Sequence, residues 1–90
     1  MKVRAHIKVY GDVQGVGYRY FAKRLAYQYG ILGWVKNNID GSVELDIEGE
    51  KKDIEDYTKK LKTDHPWATV TDIEIEWLNY SGIFSNFFIK

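Results

Sequence analysis

Cysteine is absent from the 90 residues, which removes a thiolate nucleophile, a disulfide frame and every cysteine-based metal site together. Histidine occurs only at His6 and His65, in neither an HExxH nor a His-x-His spacing, so no metal site and no other cofactor is expected. Neither sign of charge is in excess. Thirteen Lys plus Arg face 13 Asp plus Glu, so no global field draws the chain to nucleic acid or an anionic membrane, and an anion has to be bound locally. There is no run of 18 apolar residues and no charged-then-apolar leader, which predicts a cytoplasmic protein without membrane association. One proline and eight glycines fit neither a collagen-like nor a disordered chain.

What is present reads as one small domain over residues 1–90, with no linker, repeat or low-complexity tract and room only for a shallow site. In "KVRAHIKVY", Val3, Ala5, Ile7 and Val9 alternate with Lys2, Arg4, His6 and Lys8, the period of a strand with one face on a core. From Tyr18 the period changes. Tyr18, Phe21, Ala22, Leu25, Ala26 and Tyr29 recur at helical spacing, and Gly30 supplies the stop.

"ILGWVKN" and "SVELDIE" flank the turn "NIDG" and predict a hairpin, with Val43, Leu45 and Ile47 on one face and Ser42, Glu44, Asp46 and Glu48 on the other. Ile54, Tyr57 and Leu61 mark a second amphipathic helix that ends near Pro66. "TDIEIEW" sets Ile73, Ile75 and Trp77 against an acidic face, and Val70 falls out of phase with that set, which predicts a bulge near Thr71. Residues 83–90, "IFSNFFIK", read as a last strand after the turn "NYSG". The order βαββαβ predicts an α+β fold, the ferredoxin-like α/β sandwich: an antiparallel sheet of four to five strands with two helices on one face. That fold by itself implies no function.

Between the first strand and the first helix lies "GDVQGVGYR", residues 11–19. A glycine-rich turn of this kind can aim successive backbone N–H groups into one concavity, and the helix that follows adds its free N–H groups and the positive end of its dipole. Arg19 stands in the first helical turn, where its planar fork can meet two phosphate oxygens. The loop is neither GxGxxG nor a Walker sequence, and by composition alone a tight connection beside a solvated arginine is the favoured account of it. Asn37, at the end of a strand, has an equally plain reading as a turn residue.

Both stretches carry a resemblance. "GDVQGVGYR" matches the acylphosphatase signature G-x-V-Q-G-V-x-[FY]-R, and "GWVKNNIDGSVELDIEG", residues 33–49, matches that family's second signature, G-[FYW]-V-[KR]-N-x3-G-x-V-x5-G. The chain therefore resembles a free-standing acylphosphatase over essentially its whole length. The resemblance implies hydrolysis of a carboxyl–phosphate anhydride to carboxylate and inorganic phosphate, without metal, cofactor or phosphoenzyme. It implies that Arg19 binds the phosphoryl group with the backbone amides of Gln14, Gly15, Val16, Gly17 and Tyr18, and that Asn37 positions the attacking water. Ser42, across the turn, is placed to hold the Asn37 amide by a hydrogen bond, though a serine flanking a turn needs no such role.

The segment "KTDHPWATV" departs from the family's usual Gly-Pro-rich loop; Trp67 is expected to plug the core there, and His65 to be a loop residue without catalytic duty. The partner implied is a small-molecule acyl phosphate, acted on by a monomer that binds neither nucleic acid nor membrane. The competing reading is a non-catalytic ferredoxin-like module for an anion or RNA, against which stand the zero net charge and the lack of an RNP1-like stretch.

Overall fold

A computed structural model describes every residue from Met1 to Lys90. Its elements are β1 (Lys2–Asp12), α1 (Tyr18–Tyr29), β2 (Leu32–Asn37), β3 (Val43–Glu50), α2 (Lys51–Thr63), β4 (Thr69–Asn79) and β5 (Phe87–Ile89). The strands form one sheet in the order β4-β1-β3-β2-β5. The alternation read in β1 and β3 becomes a set of cross-strand pairs: Ala5 opposite Ile47, Ile7 opposite Leu45, Val9 opposite Val43. All six are fully buried, and each of the larger ones contributes about 1.5–3 kcal/mol by leaving water.

Both helices pack on this face through Ala22, Ala26, Ile54 and Leu61, which are also fully buried. Two buried tyrosines tie the helices together reciprocally. The Tyr57 hydroxyl of α2 donates to the Ala22 carbonyl of α1 at 2.9 Å, and the Tyr18 hydroxyl of α1 donates to the Leu61 carbonyl of α2 at 2.7 Å. Burial pushes both phenol pKa values up, so these hydroxyls remain donors at any physiological pH. Because Tyr18 is the first residue of α1, its hydrogen bond fixes the end of that helix next to the glycine-rich loop.

Helix α1 begins and ends as its spacing predicts, with Gly30 in a left-handed cap at φ 65°. The bulge is also where the phase break put it: Tyr10 pairs with Asp72 and Gly11 with Val70, leaving Thr71 as the extra residue.

Four features differ from the sequence reading. The last strand is three residues long, not eight, and it runs parallel to β2. The sheet is therefore mixed: β4 lies at one edge, the chain crosses to the other, and β5 enters from the end where β4 finishes. Trp67 does not plug the core; it is 76% exposed, while the neighbouring His65 packs edge-on against the Phe21 ring and accepts N–H bonds from Trp67 and Ala68 through Nδ1. The polar face of β3 is not solvated throughout, since Ser42, Asp46 and Glu48 are all buried. Asp46 accepts a two-pronged bond from Arg4, and the Glu48 carboxylate accepts from the Ser81 N–H, the Ser81 hydroxyl and the Gly82 N–H of the crossing segment. On β4, finally, Ile75 and Trp77 stay more than a third exposed, because an edge strand has a neighbour on one side only.

Candidate active site

Strand directions bring three chain segments to one end of the sheet. Antiparallel pairing of β1 and β2 with β3, and parallel pairing of β2 with β5, put the ends of β1, β2 and β5 together. Helix α1 starts at that same end. A cleft of about 180 Å³ opens there, lined by Gly15, Gly17, Arg19, Tyr20, Asn37 and Ile89 among others. Arg19 is its only charged side chain, so the cleft presents one permanent positive charge and no carboxylate to whatever enters.

Gly15 and Gly17 take φ values of 79° and 74°, the left-handed region that a side chain disfavours. A Cβ at either position would meet nothing within 4 Å. Glycine is required here by the backbone conformation and not by crowding. No backbone N–H from Gln14 to Tyr20 donates to any protein acceptor, those of Tyr18 to Tyr20 because they open α1. Helix α1 has neither a side-chain cap nor an acidic residue in its first turn, so nothing of the chain's own competes with an incoming anion for these groups.

Arg19 reaches across to β5, where its Nη1 donates to the Lys90 carbonyl at 3.1 Å; the remaining guanidinium donors make no bond within the protein. Asn37 ends β2, and its Oδ1 is buried without a hydrogen-bond partner, one acceptor left open in a chain whose other buried side-chain polar atoms are all paired. Arg19, Asn37, Gly15, Gly17 and Tyr18 thus border one cleft, whereas Gln14, Val16 and Ser42 do not line it. The Ser42 hydroxyl does not bond Asn37: it accepts from Asn38 Nδ2 at 3.0 Å and donates to Asp40 Oδ1 at 2.6 Å.

Sequence reasoning named Gln14 only for its backbone amide, yet the Gln14 side chain bonds the hairpin by Nε2. Tyr20 and Ile89 escaped notice because neither lies in a patterned stretch that marks a site. No three His, Asp or Glu side chains converge anywhere as metal ligands, and no helix is long and apolar enough to cross a membrane.

Comparisons with known proteins give the family. The family model described as Acylphosphatase matches residues 5–89. An acylphosphatase of Bacillus pumilus is 39% identical over 88 residues, covering 98% of each chain. One from Thermococcus kodakarensis is 42% identical over 82 residues, covering 91% of this chain and 90% of the other. The crystal structure of acylphosphatase from Bacillus subtilis superimposes with a TM-score of 0.93 at 35% identity, covering 98% of both chains. With the family model matched from one end of the sheet to the other, and full-length relatives near 40% identity, the chain belongs to the acylphosphatase family and carries that family's enzyme activity.

Proposed function

We propose that the chain hydrolyses the carboxyl–phosphate bond of small acyl phosphates, with the amides of residues 14–18 and Arg19 holding the phosphoryl group and Asn37 orienting the attacking water. Phosphoryl transfer passes through a loose transition state with charge spread over three equatorial oxygens, so preorganised donors supply most of the catalysis. A row of free N–H groups beside a guanidinium is suited to that charge. Water attacks phosphorus in line as the bond from phosphorus to the bridging oxygen breaks, and the carboxylate departs without needing an acid. A phosphoryl oxygen takes the proton that the water loses, so the site works without a histidine or carboxylate base.

The observation that carries this reading is that Asn37, whose Oδ1 is buried without a partner, lines the same cleft as Arg19. An amide oxygen can accept a hydrogen bond from water, and so orient it, without the charge that would repel an anionic substrate. We take the working form to be a cytoplasmic monomer that needs no metal, cofactor, nucleic acid or membrane, in keeping with the zero net charge. The test is turnover of benzoyl phosphate with a chelator present. The expected result is chelator-insensitive release of benzoate and phosphate in equal amounts; a folded sample that gives none, or that stops on chelation, overturns the reading.

A further inference from the structure

The glycine-rich loop and the hairpin that ends in Asn37 belong to different parts of the chain, and the Gln14 side chain bonds one to the other. Gln14 Nε2 donates to the Asn38 carbonyl at 2.7 Å and to the Ser42 carbonyl at 2.9 Å. Both partners are carbonyl oxygens, so only the NH2 edge of the amide can face them; turned the other way, its oxygen would meet two acceptors. Those carbonyls are also the ones that close the hairpin: Ser42 O accepts the Asn38 N–H at 2.8 Å, and Asn38 O accepts the Gly41 N–H at 3.2 Å. Gln14 therefore holds the pair of residues on which the turn is built, and one of them, Asn38, directly follows Asn37.

We infer that Gln14 is a positioning residue for the reaction, setting the distance between the phosphoryl cradle and the water carried by Asn37. This inference rests on the roles proposed above for the cradle and for Asn37. The reason is mechanical. Arg19 and the loop amides lie in one continuous stretch of chain and keep their mutual geometry whether or not Gln14 holds the hairpin. Asn37 lies on a separate hairpin, and without the link it can drift relative to the cradle. A misplacement of about 1 Å between reacting groups can lower a rate by about 10²-fold, so the chemical step suffers while phosphate binding does not.

The experiment is a double-mutant cycle with Gln14→Met, which keeps the side chain's length and removes its donors. With benzoyl phosphate as substrate, Gln14→Met is expected to lower kcat about tenfold, while the inhibition constant of inorganic phosphate moves by less than about threefold. In an Asn37→Ala background the same change should lower kcat by less than about twofold, because the group it positions is already gone. A second variant tests the donor itself. Gln14→Glu sets a carboxylate against two carbonyl oxygens and is expected to be less active than Gln14→Met at neutral pH. As pH falls toward 5, its activity relative to wild type should rise, because the protonated acid regains one donor.

Wild-type kcat in Gln14→Met overturns the inference. So does a loss of phosphate affinity in proportion to kcat, or full multiplication of the two effects in the cycle, or a flat pH ratio for Gln14→Glu. Full activity in Asn37→Ala alone overturns the proposed role of Asn37 and this inference with it, whereas a weak Asn37→Ala combined with independent effects overturns only the role of Gln14.

Discussion

The glycine-rich loop, residues 13–17, which borders the cleft, and the hairpin tip, residues 38–42, which follows Asn37 and is bonded to the loop through Gln14, treat their polar groups in opposite ways. In the loop and the helical turn after it, N–H groups from Gln14 to Tyr20 donate to nothing in the protein. In the tip, Asn38, Asp40, Gly41 and Ser42 are joined by five internal hydrogen bonds of backbone and side chain. A folded chain leaves few such groups unpaired, since each one shielded from water without a partner costs about 1–3 kcal/mol. The loop lessens that cost where it is exposed, at Gly15 and Gly17, because water can satisfy those groups until a ligand does. The difference matches the division of labour proposed above, in which the region of unpaired donors binds the ligand and the closed network mounts Asn37.

If that division holds, substitutions on the ligand side change rate far more than stability. Arg19→Ala should show the largest effect, a loss of about 10²–10³-fold in kcat/KM from removing one charge-stabilising donor group. Asn37→Ala should lose a comparable amount, and circular dichroism melting should leave both within a few degrees of the parent. Full activity in either variant breaks its side of the comparison. Next in size is Gly15→Ala. Its φ of 79° with no atom near the new Cβ makes the change one of backbone strain, about 1–2 kcal/mol. Relief of that strain turns neighbouring N–H groups out of line, so kcat/KM should fall about tenfold or more while a modest drop in melting temperature records whatever strain remains. Unchanged turnover in this variant would show that the orientation of those N–H groups is not what binds the phosphoryl group.

How far this division could be read from the sequence follows from which interactions are local. The period-two runs of β1 and β3, the helical period closed by Gly30 and the phase slip at Thr71 are all written in neighbours along the chain, and each appears in the structure where its pattern puts it. The glycine loop and Asn37 were legible through two motifs, and the structure brings both to one cleft. What escaped depends on contacts between distant segments. The parallel β5 follows from a crossing of residues 80–86, which no periodicity records; Glu48 looks like a solvated glutamate until that crossing covers it. Trp67 was assigned to the core on hydrophobicity, but His65 fills the position against Phe21 and leaves the indole outside. Ser42 was close enough in sequence to reach Asn37, yet Asp40 and Asn38 were closer in space.

On the supporting side, stability should move and rate should follow only weakly. Ser42→Ala removes the hydroxyl that both accepts from Asn38 and donates to Asp40, in a residue only 2% exposed. A loss of about 1–2 kcal/mol is expected, at about 4–8 °C of melting temperature per kcal/mol for a domain of this size. Because Gln14 and the backbone bonds still hold the turn, kcat/KM should fall by less than about fivefold. A fall as large as that of Asn37→Ala, with no change in melting, would move Ser42 from the mount to the reacting groups.

The smallest effect is expected at the far end of the sheet, where Glu48 supports only the crossing segment. Burial alone would raise its carboxyl pKa, but bonds from Ser81 and Gly82 and the nearby Arg4 outweigh it and hold the value below the usual range. A group whose pKa is lowered by folding contributes stability that is complete above its unfolded pKa, about 4.3 for glutamate. That contribution disappears as pH falls through the folded value. The wild-type melting temperature should therefore decline on acidification below about pH 4.5 more steeply than that of Glu48→Gln, which has no charge to lose. Turnover measured across the same range should show no difference in acid limb between the two proteins, because Glu48 does not line the cleft. An acid limb that moves with Glu48→Gln would tie this carboxylate to the chemistry at the other end and break the separation between binding loop and scaffold. Parallel melting curves would instead show that its hydrogen bonds to Ser81 and Gly82 do not depend on the charge.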